Sequence, residues 1–327
     1  MNTFGNRIKL TVFGQSHAKA LGVTIDGLPA GVPIDYDYIE DIMRLRAPGN
    51  LDISTKRSEP DKVEFISGVV NGKTVGTSVC AVIQNTDTIS KDYSSLVGKP
   101  RPSHADYPAT VKYGENYDLR GSGQFSGRMT ASLCIAGAVA LPILEKNGIK
   151  IATHILSVSD ICDRAFDDLD DEPEIMDALT KMPFAVIDKE ASAKMTERIK
   201  QAFKDCDSVG GVIECKITGL PVGLGLPMFD GLENVISRAI FAVPAVKGIE
   251  FGAGFSGSTL CGSEYNDRYY YDESGKVRTK TNHAGGICGG MATGMPVIFR
   301  AAFKPTPSIA KPQDTVDLVN KQNTVIA

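Results

Sequence analysis

The sequence predicts a mixed α/β (α+β) protein. Short segments of strand character recur from one end to the other, helical stretches lie between them, and glycine is plentiful without a repeat. Of 327 residues, 33 are glycine, 42% are hydrophobic and 23% are charged, which is the balance of a folded globular chain. Length alone admits two domains, but no Pro/Ser-rich linker, charge block or low-complexity run marks a boundary, so a single domain over 1–327 is expected.

Strands are expected at residues 8–13, 22–26, 63–70, 77–83, 211–217, 248–255 and 295–303. A helix is expected over 35–46, opened by the capping Asp35 and stopped by Ala47-Pro48-Gly49, because proline cannot continue the ladder and glycine permits the exit turn. Residues 126–146 are apolar nearly all round and predict a core helix, with Pro142 expected to bend or shorten it. Further helices are expected at 172–181, 189–205 and 232–243. Tyr269-Tyr270-Tyr271 reads as the half-buried surface of a hairpin before Asp272-Glu273-Ser274-Gly275. Residues 76–83 and 210–217 resemble each other too weakly to make a repeat.

A net charge of −4 and a pI near 5.7 give no overall attraction to nucleic acid or an anionic membrane, so any anion needs a local cationic cluster. The seven cysteines are odd in number, widely spaced and never in C-x-x-C, so neither a metal site nor a disulfide framework is indicated. The N-terminus lacks a long apolar signal region, and the longest apolar run, 133–144, is too short to span a bilayer. A cytoplasmic protein is expected.

Several residues could carry chemistry. Ile39, Ile42, Met43 and Arg46 follow i, i+3, i+4, i+7, so the Arg46 guanidinium shares the apolar stripe and is a candidate anion ligand. The alternative is an arginine whose stem covers the core while its head reaches solvent. Ser16-His17 places a hydroxyl beside an imidazole after a strand, and His104 sits with Arg101 in the proline-flanked loop Arg101-Pro102-Ser103-His104-Ala105-Asp106. Of the other two histidines, His154 alternates within a strand-like run and reads as structural, while His283 adjoins a glycine cluster. The stretch 120–128, RGSGQFSGR, leads into the apolar helix, where backbone N–H groups, the helix dipole and Arg128 favour an anion. It is neither a dinucleotide fingerprint nor a P-loop. Residues 281–290, TNHAGGICGG, allow close backbone approach, and Lys304-Pro305-Thr306-Pro307-Ser308 offers a cation and two hydroxyls, so together they could hold a cofactor's phosphate and polar ring edge.

Taken jointly, nine ordered segments resemble the chorismate synthase family over essentially the whole chain: FGQSHAKALGVTIDGLPAG, RLRAPGN, SGVVNGKTVGT, NTDTISKDY, RPSHADYPA, RGSGQFSGRMT, PAVKGIEFGAGF, TNHAGGICGG and FKPTPSI. The resemblance implies a β-α-β sandwich assembling as a homotetramer. It implies conversion of 5-enolpyruvylshikimate-3-phosphate into chorismate by anti-1,4 elimination of phosphate, with reduced FMN required although no net redox change occurs. His17 matches the histidine that protonates the departing phosphate, and His104 the one that protonates the reduced flavin. Arg46, Arg101 and Arg128 match arginines around the substrate's anionic groups, and Ser16 and Ser126 match hydroxyls of the same pocket. For the flavin the resemblance points to Gln124, Phe125, Ser126, Ala245, Gly289, Lys304, Pro305, Thr306, Pro307 and Ser308. NADPH is a candidate reductant, though no Rossmann fingerprint is present.

The chain departs from the family pattern at Gln15, Ala18, Asp52, Ser103 and Gln124. The family usually has glycine where Ser103 stands, and arginine or histidine where Gln124 stands. The family's Arg-His-Asp-Pro segment would follow Ala327. The alternative expectation is therefore a catalytically impaired or truncated homologue that folds and binds ligand without turnover.

Overall fold

The structure, a computed structural model, describes residues 2–47, 49, 52–53, 59–86 and 97–326. The chain forms two compact units, one of Met1–Ala140, Phe203–Ser208 and Thr306–Ala327, the other of Leu141–Ala202 and Val209–Pro305. Each contains a five-stranded antiparallel sheet.

In the first unit the strand order is Thr3–Phe4, Lys9–Gly14, Ala20–Asp26, Val79–Gln84, Val63–Ser67. Leu21 faces Ile83, Val23 faces Ala81 and Ile25 faces Val79 across the central pair, and all six are buried. Burying each large aliphatic side chain of this row contributes about 1.5–3 kcal/mol. The strand expected over 63–70 is divided. Gly68 takes φ +81, where a Cβ would lie 2.5 Å from Ser78 O, and Val69–Val70 then pairs with Lys73–Thr74 as a separate hairpin.

The first helix is Tyr36–Arg46. Asp35 caps it by accepting from Tyr38 N at 3.0 Å, and Ile39 and Met43 are its buried positions. Pro48, the expected terminator, lies outside the described residues. A second helix, Asp106–Tyr113, stands in part of the expected histidine loop, with aspartate in its first turn and Gly114 at φ 55 ending it.

The apolar helix begins as a 3-10 turn, Gly127–Met129, and continues as Thr130–Lys146. Ala131, Ser132, Ile135, Ala138 and Val139 are buried. Pro142 does not shorten it, because only the final turn follows and Asn147 N and Gly148 N close that turn on Leu144 O and Glu145 O. With its 3-10 start the stretch Gly127–Lys146 is long and apolar enough to cross a membrane by length and composition, longer than the apolar run within it. The first unit also contains the hairpin Gln313–Asp317 with Gln322–Ile326, pinned where Leu318 N donates to Gly98 O at 2.8 Å.

In the second unit the order is Val246–Phe251, Val297–Phe303, Gly211–Thr218, Lys150–Val158, Ile161–Cys162. The strand expected to reach residue 255 ends at Phe251, because Gly252 turns at φ +52. The helices Pro173–Leu179, Lys189–Lys204 and Leu232–Ile240 match the three expected ones in place. Ala152, Phe166, Met176, Leu179 and Ile298 form one apolar cluster, and Val158, Val186, Ala191 and Met195 another. The tyrosine hairpin pairs Tyr269–Tyr271 with Val277–Thr279, but all three tyrosines are exposed rather than half-buried.

Candidate active site

Gly14 closes the strand before His17 at φ +98, where a Cβ would meet Ala20 O and Leu21 Cα at 2.5 Å. The chain then turns through Ser16 and His17, both buried, with Ser16 Oγ 3.2 Å from His17 Nδ1. Asn85 braces this turn, its Nδ2 donating to Gln15 O at 3.0 Å and to Ala18 O at 2.9 Å. Its Oδ1 accepts from Arg128 Nε at 3.3 Å. One amide thus ties the histidine turn to the start of the apolar helix.

Arg46 and Arg128 both bond to the carboxylate of Asp61, one to each oxygen. Glu59 Oε2 lies 3.7 Å from Arg128 Nη2, an atom with no hydrogen-bond partner among the described residues. Glu59 also accepts from Thr86 N at 3.2 Å and Thr86 Oγ1 at 3.0 Å. The two guanidinium groups therefore face two protein carboxylates, and the charges of the four balance. Sequence reasoning brought the arginines forward as ligands for an external anion. It missed Glu59 and Asp61, whose spacing in Glu59-Pro60-Asp61 was the available signal.

Around His104 the contacts are denser. Asp106, 2% exposed, accepts from Arg101 Nε at 2.8 Å, Arg101 Nη2 at 3.0 Å and the Arg101 backbone at 3.1 Å. It also meets His104 Nδ1 at 2.6 Å and accepts from Tyr117 Oη at 3.2 Å. Burial pushes the Asp106 carboxyl up, but hydrogen bonds from His104 and Arg101, with their charges, outweigh it and hold the group well below the usual carboxylate range. Burial, then the neighbouring Asp106 charge, pushes the Tyr117 phenol up to about 12. Arg101 Nη1 donates to Ser308 Oγ at 3.0 Å, so residues about 200 apart in sequence meet here. Asp106, Tyr117 and Ser122 were not foreseen, and the His-x-Asp spacing was the signal for the first.

The turn Gly121-Ser122-Gly123 adopts φ of 55, 69 and 53. A Cβ on Gly121 would lie 2.3 Å from His17 Cε1 and Nδ1 and 2.6 Å from Ser16 Oγ, so glycine is required sterically. Ser122 Oγ lies 3.0 Å from His104 Nε2 and accepts from Arg101 Nη2 at 3.2 Å. Gln124 follows the turn, and Phe125 is partly exposed between Tyr113 and Tyr117, its ring centroid 6.3 and 6.1 Å from theirs. Ser126 caps the next turn by accepting from Arg128 N at 3.2 Å. Thr306 O accepts from Ser208 Oγ at 2.7 Å, and Pro307 O from Gln313 Nε2 at 3.4 Å. Ser103 sits at φ +57, in the left-handed region.

The remaining candidates belong to the second unit. Lys304 N donates to Ala245 O at 3.0 Å, with Ala245 at φ +72. Burial and then the charge of Lys247 hold the Lys304 ammonium below its ordinary value. Pro305 packs against Gly210, where a Cβ would come within 3.1 Å of Pro305 Cδ. Gly289 turns at φ +60 between the short strands Ile287–Cys288 and Met291–Ala292, and a Cβ there would meet nothing nearer than Met291 Cε at 3.9 Å.

His154 is structural, as expected. It is fully buried, with Nδ1 3.0 Å from Asp163 Oδ2 and Nε2 3.0 Å from Glu214 Oε2. His283 Nδ1 lies 2.9 Å from Tyr265 O, in a loop held by Asp267.

Residues 8–327 match the protein-family model described as chorismate synthase. The chorismate synthase of Korarchaeum cryptofilum is 43% identical over 323 residues, 99% of this chain and 88% of the relative. That of Methanococcoides burtonii is 44% identical over 327 residues, 99% and 87% of the two chains, and that of Synechocystis sp. is 42% identical over 100% and 89%. A crystal structure of chorismate synthase superposes with a TM-score of 0.74 at 25% identity, covering 92% of this chain and 84% of the other. With its fold, its ordered motifs and these relatives in agreement, the chain belongs to the chorismate synthase family.

Proposed function

We propose that this chain is a lyase of aromatic amino acid biosynthesis that eliminates phosphate from 5-enolpyruvylshikimate-3-phosphate to give chorismate. The observation that carries the reading is the gathering of His17, Arg46, Arg101, His104 and Arg128 in one unit, with the turn 121–123 set against His17 on one side and bonded to His104 on the other. The family match spans both units, which supports treating 1–327 as one functional domain.

His17, with Ser16 beside Nδ1, would protonate the departing phosphate, and Ser126 would line the same pocket. Arg101 would meet a substrate anion with the rigid fork that Asp106 holds in place. Arg46 and Arg128 would do so by exchanging Asp61 for a substrate carboxylate or phosphate of the same charge-assisted type. His104 would exchange a proton with the reduced flavin.

Each unit, taken by itself, offers groups that suit part of FMN. In the second unit burial and the charge of Lys247 hold the Lys304 ammonium low, which suits a phosphate monoester, Lys304 N bonds to Ala245 O next to Pro305, and Gly289 presents bare backbone. In the first, Gln124 and Ser126 adjoin the partly exposed Phe125 in sequence, and Thr306, Pro307 and Ser308 offer hydroxyl and backbone groups. Reduced FMN, when bound, supplies electron density to the allylic system of the substrate. We further propose a cytoplasmic homotetramer, with NADPH as a candidate reductant.

The pairing of Arg46 and Arg128 with Asp61 favours a second reading, a homologue that binds ligand without turnover. Anaerobic incubation with reduced FMN and 5-enolpyruvylshikimate-3-phosphate separates the two. Equal release of phosphate and chorismate is expected, whereas FMN binding without phosphate release would leave only the second.

A further inference from the structure

We infer that Asp106 and Ser122 are the positioning residues of His104. Asp106 holds the imidazole proton on Nδ1, and the Ser122 hydroxyl meets the Nε2 lone pair that this leaves. The inference rests on the proposed role of His104 in proton exchange and extends it to two residues that carry no assigned part in the reaction.

A carboxylate can only accept, so the 2.6 Å separation of His104 Nδ1 from Asp106 Oδ1 puts the proton on the nitrogen. Arg101 Nη2 lies 3.2 Å from the same Nδ1, but it too is a donor and cannot bond a protonated nitrogen. Its hydrogens go instead to Asp106 Oδ1 at 3.0 Å and Ser122 Oγ at 3.2 Å. The Asp106 carboxyl is 2% exposed and receives donors from Arg101, His104 and Tyr117, so it stays ionised. In the neutral ring the lone pair is then on Nε2, 3.0 Å from Ser122 Oγ.

The backbone places the Ser122 Cβ from which that hydroxyl reaches His104. Ser122 is held at φ +69 between two glycines that are also left-handed, a region that residues with a Cβ enter rarely. Gly121 of the same turn lies against His17 and Ser16, so one three-residue segment sets the position of both imidazoles.

Full-length protein with 15N-labelled histidine, free of ligand, gives the direct test, since there are only four histidines to assign. Above its titration, His104 is expected to show a pyrrole-type Nδ1 and a pyridine-type Nε2. Asp106→Asn should admit the other tautomer, and Ser122→Ala should keep the tautomer but shift the Nε2 resonance. With reduced FMN and substrate, Asp106→Asn should lower kcat by about 10²-fold or more, and should raise KM as well because the same carboxylate holds Arg101.

A His104 protonated on Nε2 in the unmodified protein overturns the inference, whatever the turnover. An Nε2 resonance unmoved by Ser122→Ala overturns the part given to Ser122. If Asp106→Asn does not fold, the unmodified spectrum and Ser122→Ala still decide. The Nδ1–H tautomer in a protein that forms no chorismate would instead refute the functional reading and leave the positioning intact.

Discussion

Each unit holds a histidine against at least one carboxylate, and the two are used differently. In the second unit His154 has a carboxylate on both ring nitrogens and no exposed surface, and it stands in a row across the sheet, where Glu214 faces His154 on one side and Arg300 on the other, and Arg300 faces Glu250. In the first unit His104 has a carboxylate on one nitrogen and a hydroxyl on the other, and its side chain is 13% exposed. A histidine committed at both nitrogens braces strands. One that faces a neutral hydroxyl keeps a nitrogen able to take up or release a proton.

The comparison is broken most severely at Glu214. Glu214→Ala removes the acceptor of Arg300 Nε, His154 and Phe166 N, and is expected to cost about 3–5 kcal/mol in denaturant unfolding, the cost of orphaning a buried charged pair. Burial pushes the Glu214 carboxyl up, but hydrogen bonds from His154 and Phe166 and the Arg300 charge leave it below its ordinary 4.5. Its contribution to stability is thus fully present above that value and lost as the pH falls below it. Glu214→Gln should therefore flatten the acid limb of the stability curve. An unchanged limb would mean that the row does not act as a charged brace.

His104→Ala should have the reverse profile. Turnover is expected to fall by about 10²–10⁴-fold, with Tm little changed. A variant that loses its fold before its activity would make the two histidines alike.

The smallest expected effect is at Ser103. Its φ of +57 costs a residue with a Cβ roughly 1 kcal/mol, so Ser103→Gly should raise stability by about that amount in the same unfolding assay. A loss of stability would show that the serine side chain holds the His104 loop.

Much of the fold was legible because local rules governed it. The helix Tyr36–Arg46 follows from Asp35 and its apolar spacing, and the paired strands Ala20–Asp26 and Val79–Gln84 from their apolar alternation. The hairpin Gln313–Asp317 with Gln322–Ile326 was not legible. Its polar sequence has no apolar stripe, and contacts with Gly98 and Pro100 some 200 residues away hold it. The same divide runs through the site. His17, His104 and the arginines announce themselves by residue type and motif, whereas Asp61 and Asp106 matter through what folding brings to them.

Asn85 has a chemical consequence over the lifetime of the protein. Its two amide hydrogens face main-chain oxygens and its oxygen faces Arg128, so the orientation of the group is fixed by all three neighbours. Hydrolysis of this amide to aspartate, with water consumed and ammonia released, would exchange NH₂ for O⁻ with almost no change of shape, and would set a negative charge against two carbonyls beneath the His17 turn. Damage at this one amide would age the site from below while leaving every candidate side chain chemically intact.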